Sequence, residues 1–550
     1  MAAGIGAALG VLAGGAGAPA NAQASAQRPG ILLIVTDDQG YGDIGLHGNS
    51  RIKTPNLDRL GRESVRLTRF YVSPVCAPTR ASLMTGRYNY RTGVVDTWLG
   101  RAMMHADEVT IAEMLRRGGY RTGIFGKWHL GDTYPLRAVD QGFEESLTHN
   151  GGGIGQPADP EGNSYFDPLL YRGGRPVRAR GYCTDIFARE AARFLTARDD
   201  RPFFAYVAMN APHVPLDVHE SYVAPYRESG LDETTARVYG MVTNIDENVG
   251  RLLDALDRSG RAANTVVVFM SDNGPQQRRY NAGLRGAKGT VYEGGVRVPC
   301  FVRWPARLRP GEVDRITAHI DVAPTFLQMA GVEPPPGLQL DGRSLLPLLD
   351  GQAEGWPDRT LFLQWHRGDA PEPFRDSAAV TQRLKLVNGH ELYDLQADPS
   401  EARDVSGERP EAVLRLREAY LRWFRDVSAT RGYDPPRIVL GAEAAPAVVL
   451  TRQDWRGPRA GWEDTALGHW EVAVERGGTY RVTLALQPGP TPCRAHLRVD
   501  GVVRERSVRA GARTCEFEHV PLEAGPARLE AWQECGQGSV GVRYVAVRRR

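Results

Sequence analysis

The chain has 550 residues, is 42% hydrophobic and 24% charged, and carries a formal net charge of +3. That length exceeds what one core supports, so two or three structural units are expected. The near-balanced charge gives no basis for a nucleic-acid or acidic-membrane partner, which leaves recognition to a local site.

Residues 1–22 are rich in Ala and Gly, poor in charge, and end in Ala20-Asn21-Ala22, the small-x-small pattern of an export signal. Residues 1–27 are read as a removable leader and the mature protein as periplasmic or extracellular. No later run approaches the ~18 apolar residues of a membrane span. Residues 28–355 read as an α/β domain. Ile31-Leu32-Leu33-Ile34-Val35 precedes Thr36-Asp37-Asp38, a run from Phe203 to Ala208 precedes Asn210-Ala211-Pro212-His213, and a run from Thr265 to Met270 precedes Ser271-Asp272-Asn273. Each is a continuous apolar strand ending in polar groups, buried on both faces. Helical periodicity over 110–117 and 184–198 lies between them, which predicts a large, mostly parallel or mixed sheet between helices. A ligand site belongs beyond the carboxyl ends of such strands.

Residues 356–436 read as a small α+β subdomain, with short strands near 360–365, 383–388 and 391–395 before an amphipathic helix at 410–427. Residues 437–550 read as an accessory β-sandwich. Because the candidate site residues all precede it, the 1–436 chain is expected to keep its chemistry. Trp455, Trp462, Trp470 and Trp532 are read as core or interdomain residues in preference to a sugar platform. Cys493, Cys515 and Cys535 allow one disulfide whose pairing stays open, and Cys183 and Cys300 read as buried inert thiols.

The segment Ser73-Pro74-Val75-Cys76-Ala77-Pro78-Thr79-Arg80 contains Cys-x-Pro-x-Arg, followed by Ala-Ser-Leu-Met-Thr-Gly. Here the chain resembles the formylglycine-dependent sulfatases of the alkaline phosphatase superfamily, over about residues 28–427. The resemblance implies that a separate generating enzyme oxidises Cys76 to formylglycine, whose hydrate supplies the nucleophilic oxygen. It places a divalent metal on Asp37, Asp38, Asp272, Asn273 and the modified Cys76. Hard oxygen donors from two strand ends suit calcium, with magnesium as the alternative. It also implies that Arg80, Lys127, His129, His213 and Lys288 surround one sulfate group. Lys127 and His129 stand two apart in Gly126-Lys127-Trp128-His129, on one side if the segment is extended. Only Lys53, Lys127, Lys288 and Lys385 are lysines among 68 basic residues, which suggests that a compact ammonium is needed where lysine persists. The family's hydroxyl donor to sulfate has no match at His149 or Asn150. His47, His319 and His366 are read as structural or rim residues.

The resulting expectation is hydrolysis of sulfate monoesters, on a sulfated carbohydrate or an aryl sulfate. The alternatives are a formylglycine-dependent phosphonate or phosphate ester hydrolase and a catalytically silent sulfoglycan-binding protein.

Overall fold

The computed structural model describes Met1 and residues 28–536 and 538–550. The expected export segment lies, apart from Met1, outside the described residues. Among them, no helix is long and apolar enough to cross a membrane.

The three apolar runs become the strands Gly30–Thr36, Phe203–Ala208 and Thr265–Ser271, buried at every position. They lie at the centre of a ten-stranded sheet. Gly30–Thr36 runs parallel to both of the others, and Phe203–Ala208 is also parallel to Arg121–Lys127, which pairs in parallel with Glu145–His149. Antiparallel strands extend both edges, including Cys300–Arg303 and Leu169–Arg172. Successive side chains of a strand point to opposite faces. Ile31, Leu33 and Val35 accordingly enter a core with Leu83, Ile111 and Phe326, whereas Leu32 and Ile34 enter another with Phe187, Val242 and Leu252. Thr36 stands opposite Ser271, and Ala208 stands opposite both Val35 and Gly126. That register brings the polar strand ends to one level.

The α+β subdomain is a four-stranded antiparallel sheet with the helix Pro410–Ser428. Its second strand, Ser377–Val380, is absent from the sequence reading. Ser-Ala-Ala-Val has no polar alternation because all four positions are buried.

Residues 437–550 form two facing sheets. Cys493 and Cys535 are directly opposite on neighbouring strands and form the disulfide, while Cys515 is a buried free thiol. Cys183 and Cys300 are buried and free, as read from the sequence. Trp455 and Trp470 are fully buried, each with its indole N–H on a backbone carbonyl. Trp462 instead packs edge-on against Trp98 at 5.1 Å, and Trp532 stacks on His496.

The sandwich does not stand apart. Leu99, Met103 and Leu136 of the α/β domain are members of its apolar core. Tyr544 donates to the Asp159 carbonyl, and Arg456 donates to that of Leu99. The expectation of a separable C-terminal unit is therefore revised. Truncation to 1–436 would bare those three side chains, each worth roughly 1.5–3 kcal/mol when fully buried. A thermal melt of the truncated chain should show a lower midpoint and aggregation; an unchanged midpoint would contradict this packing.

Candidate active site

Cys76 is the first residue of the helix Cys76–Thr85, in which all ten residues are buried. Pro78 is tolerated in the first turn, whose N–H groups have no intrahelical partner. Arg80 follows Cys76 by four residues and therefore shares its helix face. Its Nε and Nη2 both donate to Asp272 Oδ2, at 3.1 and 2.7 Å, and Nη1 donates to the Lys127 carbonyl and to Tyr206 Oη. Tyr206 is a site residue that the sequence reading left inside its strand. Burial raises its phenol to about 12, which keeps it neutral.

Asp37 and Asp38 leave one strand end, and Asp272 and Asn273 leave the neighbouring one. Asp38 adopts φ +69°, a left-handed conformation that Asp accepts more readily than most residues. Lys127 Nζ lies 2.6 Å from Asp37 Oδ2, and Lys288 Nζ lies 2.7 Å from Asp38 Oδ1. Burial raises the Asp38 carboxyl, yet Lys288 and His213 together outweigh that and leave it depressed. Asp272 ends near 6, because burial and the adjacent Asp37 exceed the pull of Arg80.

Asn273 Nδ2 donates to Asp38 Oδ1 at 2.8 Å, which turns its amide oxygen away. Asp37 Oδ1, Asp38 Oδ2 and Asn273 Oδ1 are all buried with no hydrogen-bond partner among the described residues. Unmatched buried oxygens are costly, and oxygens of this kind are ligands for a hard divalent cation. Ligand atoms of Asp37, Cys76 and Asp272 lie within 4.8 Å of one another, as do those of Asp37, Asp38 and His213. His213 thus stands closer to the acidic group than its sequence reading as a sulfate contact implied. Gln39, also buried, has its Oε1 unpartnered; no sequence signal singled it out.

Lys127 and His129 do not share one side of an extended segment. The strand stops at Lys127, and His129 lies beyond it at φ +61°. Gly126 must be glycine, since a Cβ there would meet the Ala208 carbonyl oxygen at 1.9 Å. His129 Nε2 is 2.8 Å from the Thr97 carbonyl oxygen, while Nδ1 is buried without a partner. A carbonyl can only accept, which assigns the proton to Nε2 and the lone pair to Nδ1. Burial, and after it the Lys127 charge, holds the His129 imidazole well below its ordinary value. His213 Nδ1 donates to the Val214 carbonyl at 2.7 Å, and burial with Lys288 lowers that imidazole to about 3. His149, in register with Lys127, has an unpartnered buried Nε2. Burial lowers it to about 3. Lys385, by contrast, is buried between Glu293 and Glu401. Three of the four lysines thus stand in ion pairs, but only Lys127 and Lys288 are at the site, and Lys53 is exposed. His319 bridges Ser73 and the Tyr71 carbonyl, a structural role.

A family model for sulfatases matches residues 29–332, and one for the C-terminal part of N-sulphoglucosamine sulphohydrolase matches residues 287–419. The chain belongs to the sulfatase family. Human arylsulfatase A is 32% identical, over 77% of this chain and 92% of the relative. Mouse N-acetylgalactosamine-6-sulfatase is 33% identical, over 66% of this chain and 71% of the relative. The crystal structure of Ps i-CgsB in complex with k-i-k-neocarrahexaose superposes with a TM-score of 0.66 at 30% identity, covering 74% of this chain and 95% of that one. The protein is a sulfatase, an enzyme of sulfate-ester hydrolysis.

The Asp272 shift in this sulfatase has a measurable sign. Its folded carboxyl, near 6, lies above the ordinary 3.8, so the folded state holds the proton more tightly than the unfolded chain. The associated stability is present below about pH 4 and is lost as pH rises through about 6. With chelator present, the difference in melting midpoint between wild type and Asp272→Asn should change across that window. A pH-independent difference would refute the assignment.

Proposed function

We propose that this sulfatase hydrolyses sulfate monoesters through a formylglycine made from Cys76 by a separate generating enzyme, beside a divalent metal held by Asp37, Asp38, Asp272 and Asn273. The unpartnered oxygens of Asp37, Asp38 and Asn273 are the observation that supports it most directly. Calcium suits such a set, and magnesium is the alternative. The metal would supply positive charge to the anionic ester, and the hydrated aldehyde would supply the oxygen nucleophile.

The chain's own residues account for the remaining roles. Asp37, Asp38 and Asp272 are matched one for one by Lys127, Lys288 and Arg80. A divalent cation added to that balanced set leaves the site electropositive, which favours an anionic ester. Lys127 and Lys288 would hold sulfate oxygens once the cation takes over their carboxylate partners, and His213 would join them through Nε2 once the charge of the anionic ester favours its protonation. Arg80 fixes Asp272 and, from the same helix face, steadies residue 76. His129 presents the Nδ1 lone pair as general base. Lys288 is the proton donor to the leaving oxygen in preference to His213, whose Nδ1–H is committed to the Val214 carbonyl. The substrate is proposed to be a sulfated carbohydrate, with aryl sulfates as model compounds and export to the periplasm or exterior as its setting.

Paired 4-nitrophenyl sulfate and phenylphosphonate esters test the reaction class; faster turnover of the phosphonate would overturn the sulfate reading. Asp37→Ala should bring bound calcium and magnesium below stoichiometric and abolish turnover, checked by elemental analysis. Cys76→Ser should not turn over and should retain one covalent sulfo group after exposure to substrate, visible in the mass of the residue-76 peptide. A Cys76→Ser enzyme with wild-type turnover would remove residue 76 from the mechanism.

A further inference from the structure

Neither family model extends past residue 419, so neither describes the C-terminal sandwich. The sandwich nonetheless reaches the site through the 96–100 loop. Thr97 presents its carbonyl to His129 Nε2. The same oxygen accepts a second hydrogen bond, at 2.9 Å, from Nε2 of Gln453 in the sandwich. Gln453 is buried, at 2% exposure, in the turn that follows the strand Ala447–Thr451. Its own carbonyl accepts from Gly100 N at 3.0 Å, and Arg456 Nη1 donates to the Leu99 carbonyl at 2.7 Å. Three hydrogen bonds from one turn thus grip the backbone of a four-residue stretch.

That stretch needs an external hold. Leu99 has φ +54°, a region in which a bulky non-glycine residue is strained by about 1–3 kcal/mol. Such strain persists only where surrounding structure over-determines the conformation. On its catalytic-domain side, Asp96 caps Thr97 N and is itself held by Trp365 and Arg367. Beyond Thr97, the catalytic domain adds the local turn bonds from Arg101 N to the Trp98 carbonyl and from Met103 N to that of Gly100, and the sandwich holds the Leu99 carbonyl and Gly100 N.

We infer that Gln453 is a positioning residue for His129: through the Thr97 carbonyl, the C-terminal sandwich sets the orientation and tautomer of the imidazole, and it is therefore a working part of the catalytic unit. This rests on the reading of His129 as the base. The chemistry is specific to a donor at position 453, because the group it meets is a carbonyl that cannot donate. Glutamate has nearly the same shape but places an oxygen against that carbonyl. Methionine keeps the volume and removes the hydrogen bond.

The test uses the full-length, metal-loaded enzyme on 4-nitrophenyl sulfate. Gln453→Glu and Gln453→Met should lower kcat by about ten-fold or more while KM stays within about two-fold, the signature of a lost transition-state interaction. Calcium content and the residue-76 modification should match wild type, and the exposed Arg494→Ala, elsewhere in the sandwich, should be unaffected. A merely structural Gln453 would lower the melting midpoint and leave kcat per folded enzyme unchanged in both variants, which would overturn the inference. In a His129→Asn background, adding Gln453→Glu should not reduce the residual rate further, because both changes act on one group. A further ten-fold loss there would show that Gln453 acts elsewhere and would also overturn it. Full activity of His129→Asn alone would identify the base assignment as the failed premise.

Discussion

Burying Asp37, Asp38 and Asp272 in one volume is unfavourable unless each charge is matched, and Lys127, Lys288 and Arg80 match them at 2.6 to 2.7 Å. Much of the molecule follows from that requirement. The carboxylates must lie close together, which the parallel register of two central strands secures by setting Thr36 opposite Ser271. The cations must reach them from other directions. Arg80 comes from a helix buried on all sides, Lys127 from the end of a further strand, and Lys288 from the loop beyond Asn273. Removing one member of such a set leaves its partner buried and unpaired, which costs more than the pair itself contributes.

The same crowding governs the protonation states. Burial and neighbouring ammonium groups keep His129 and His213 neutral, so each imidazole has one protonated and one bare nitrogen. Backbone carbonyls decide which is which, Thr97 for His129 and Val214 for His213. Two chemically similar residues thereby turn different atoms toward the site. Which nitrogen each leaves bare is a property of backbone placement and is invisible in the residue type.

The sandwich, which lies beyond the residues either family model matches, packs into the α/β domain at two places. Its core takes in Leu99, Met103 and Leu136, and its turn at Gln453 grips the loop that meets His129. An apolar contact supplies the affinity between the two units, and the hydrogen bonds set the geometry. Position in the chain gave no hint of this, because the contacts join residues more than 350 apart.

The fold class, the three polar strand ends and the candidate charged groups were legible in the residues alone. Apolar runs of five or six residues bounded by polar groups read as strands of a doubly covered sheet, with those polar groups at its rim. The Cys-x-Pro-x-Arg motif named Cys76 and Arg80 together, but the helix that sets both on one face is a structural observation. The tertiary structure alone decided what depends on distant backbone. Lys127 and His129 are not aligned by strand alternation, because the strand ends at Lys127 and His129 itself is left-handed. Tyr206 enters the site through the sheet register, and Cys493 pairs with Cys535 because two strands place them opposite each other. The Thr97 carbonyl carries no side-chain signal at all. Periodicity encodes which face a residue occupies, whereas the partner it meets there is fixed only when separate segments pack together.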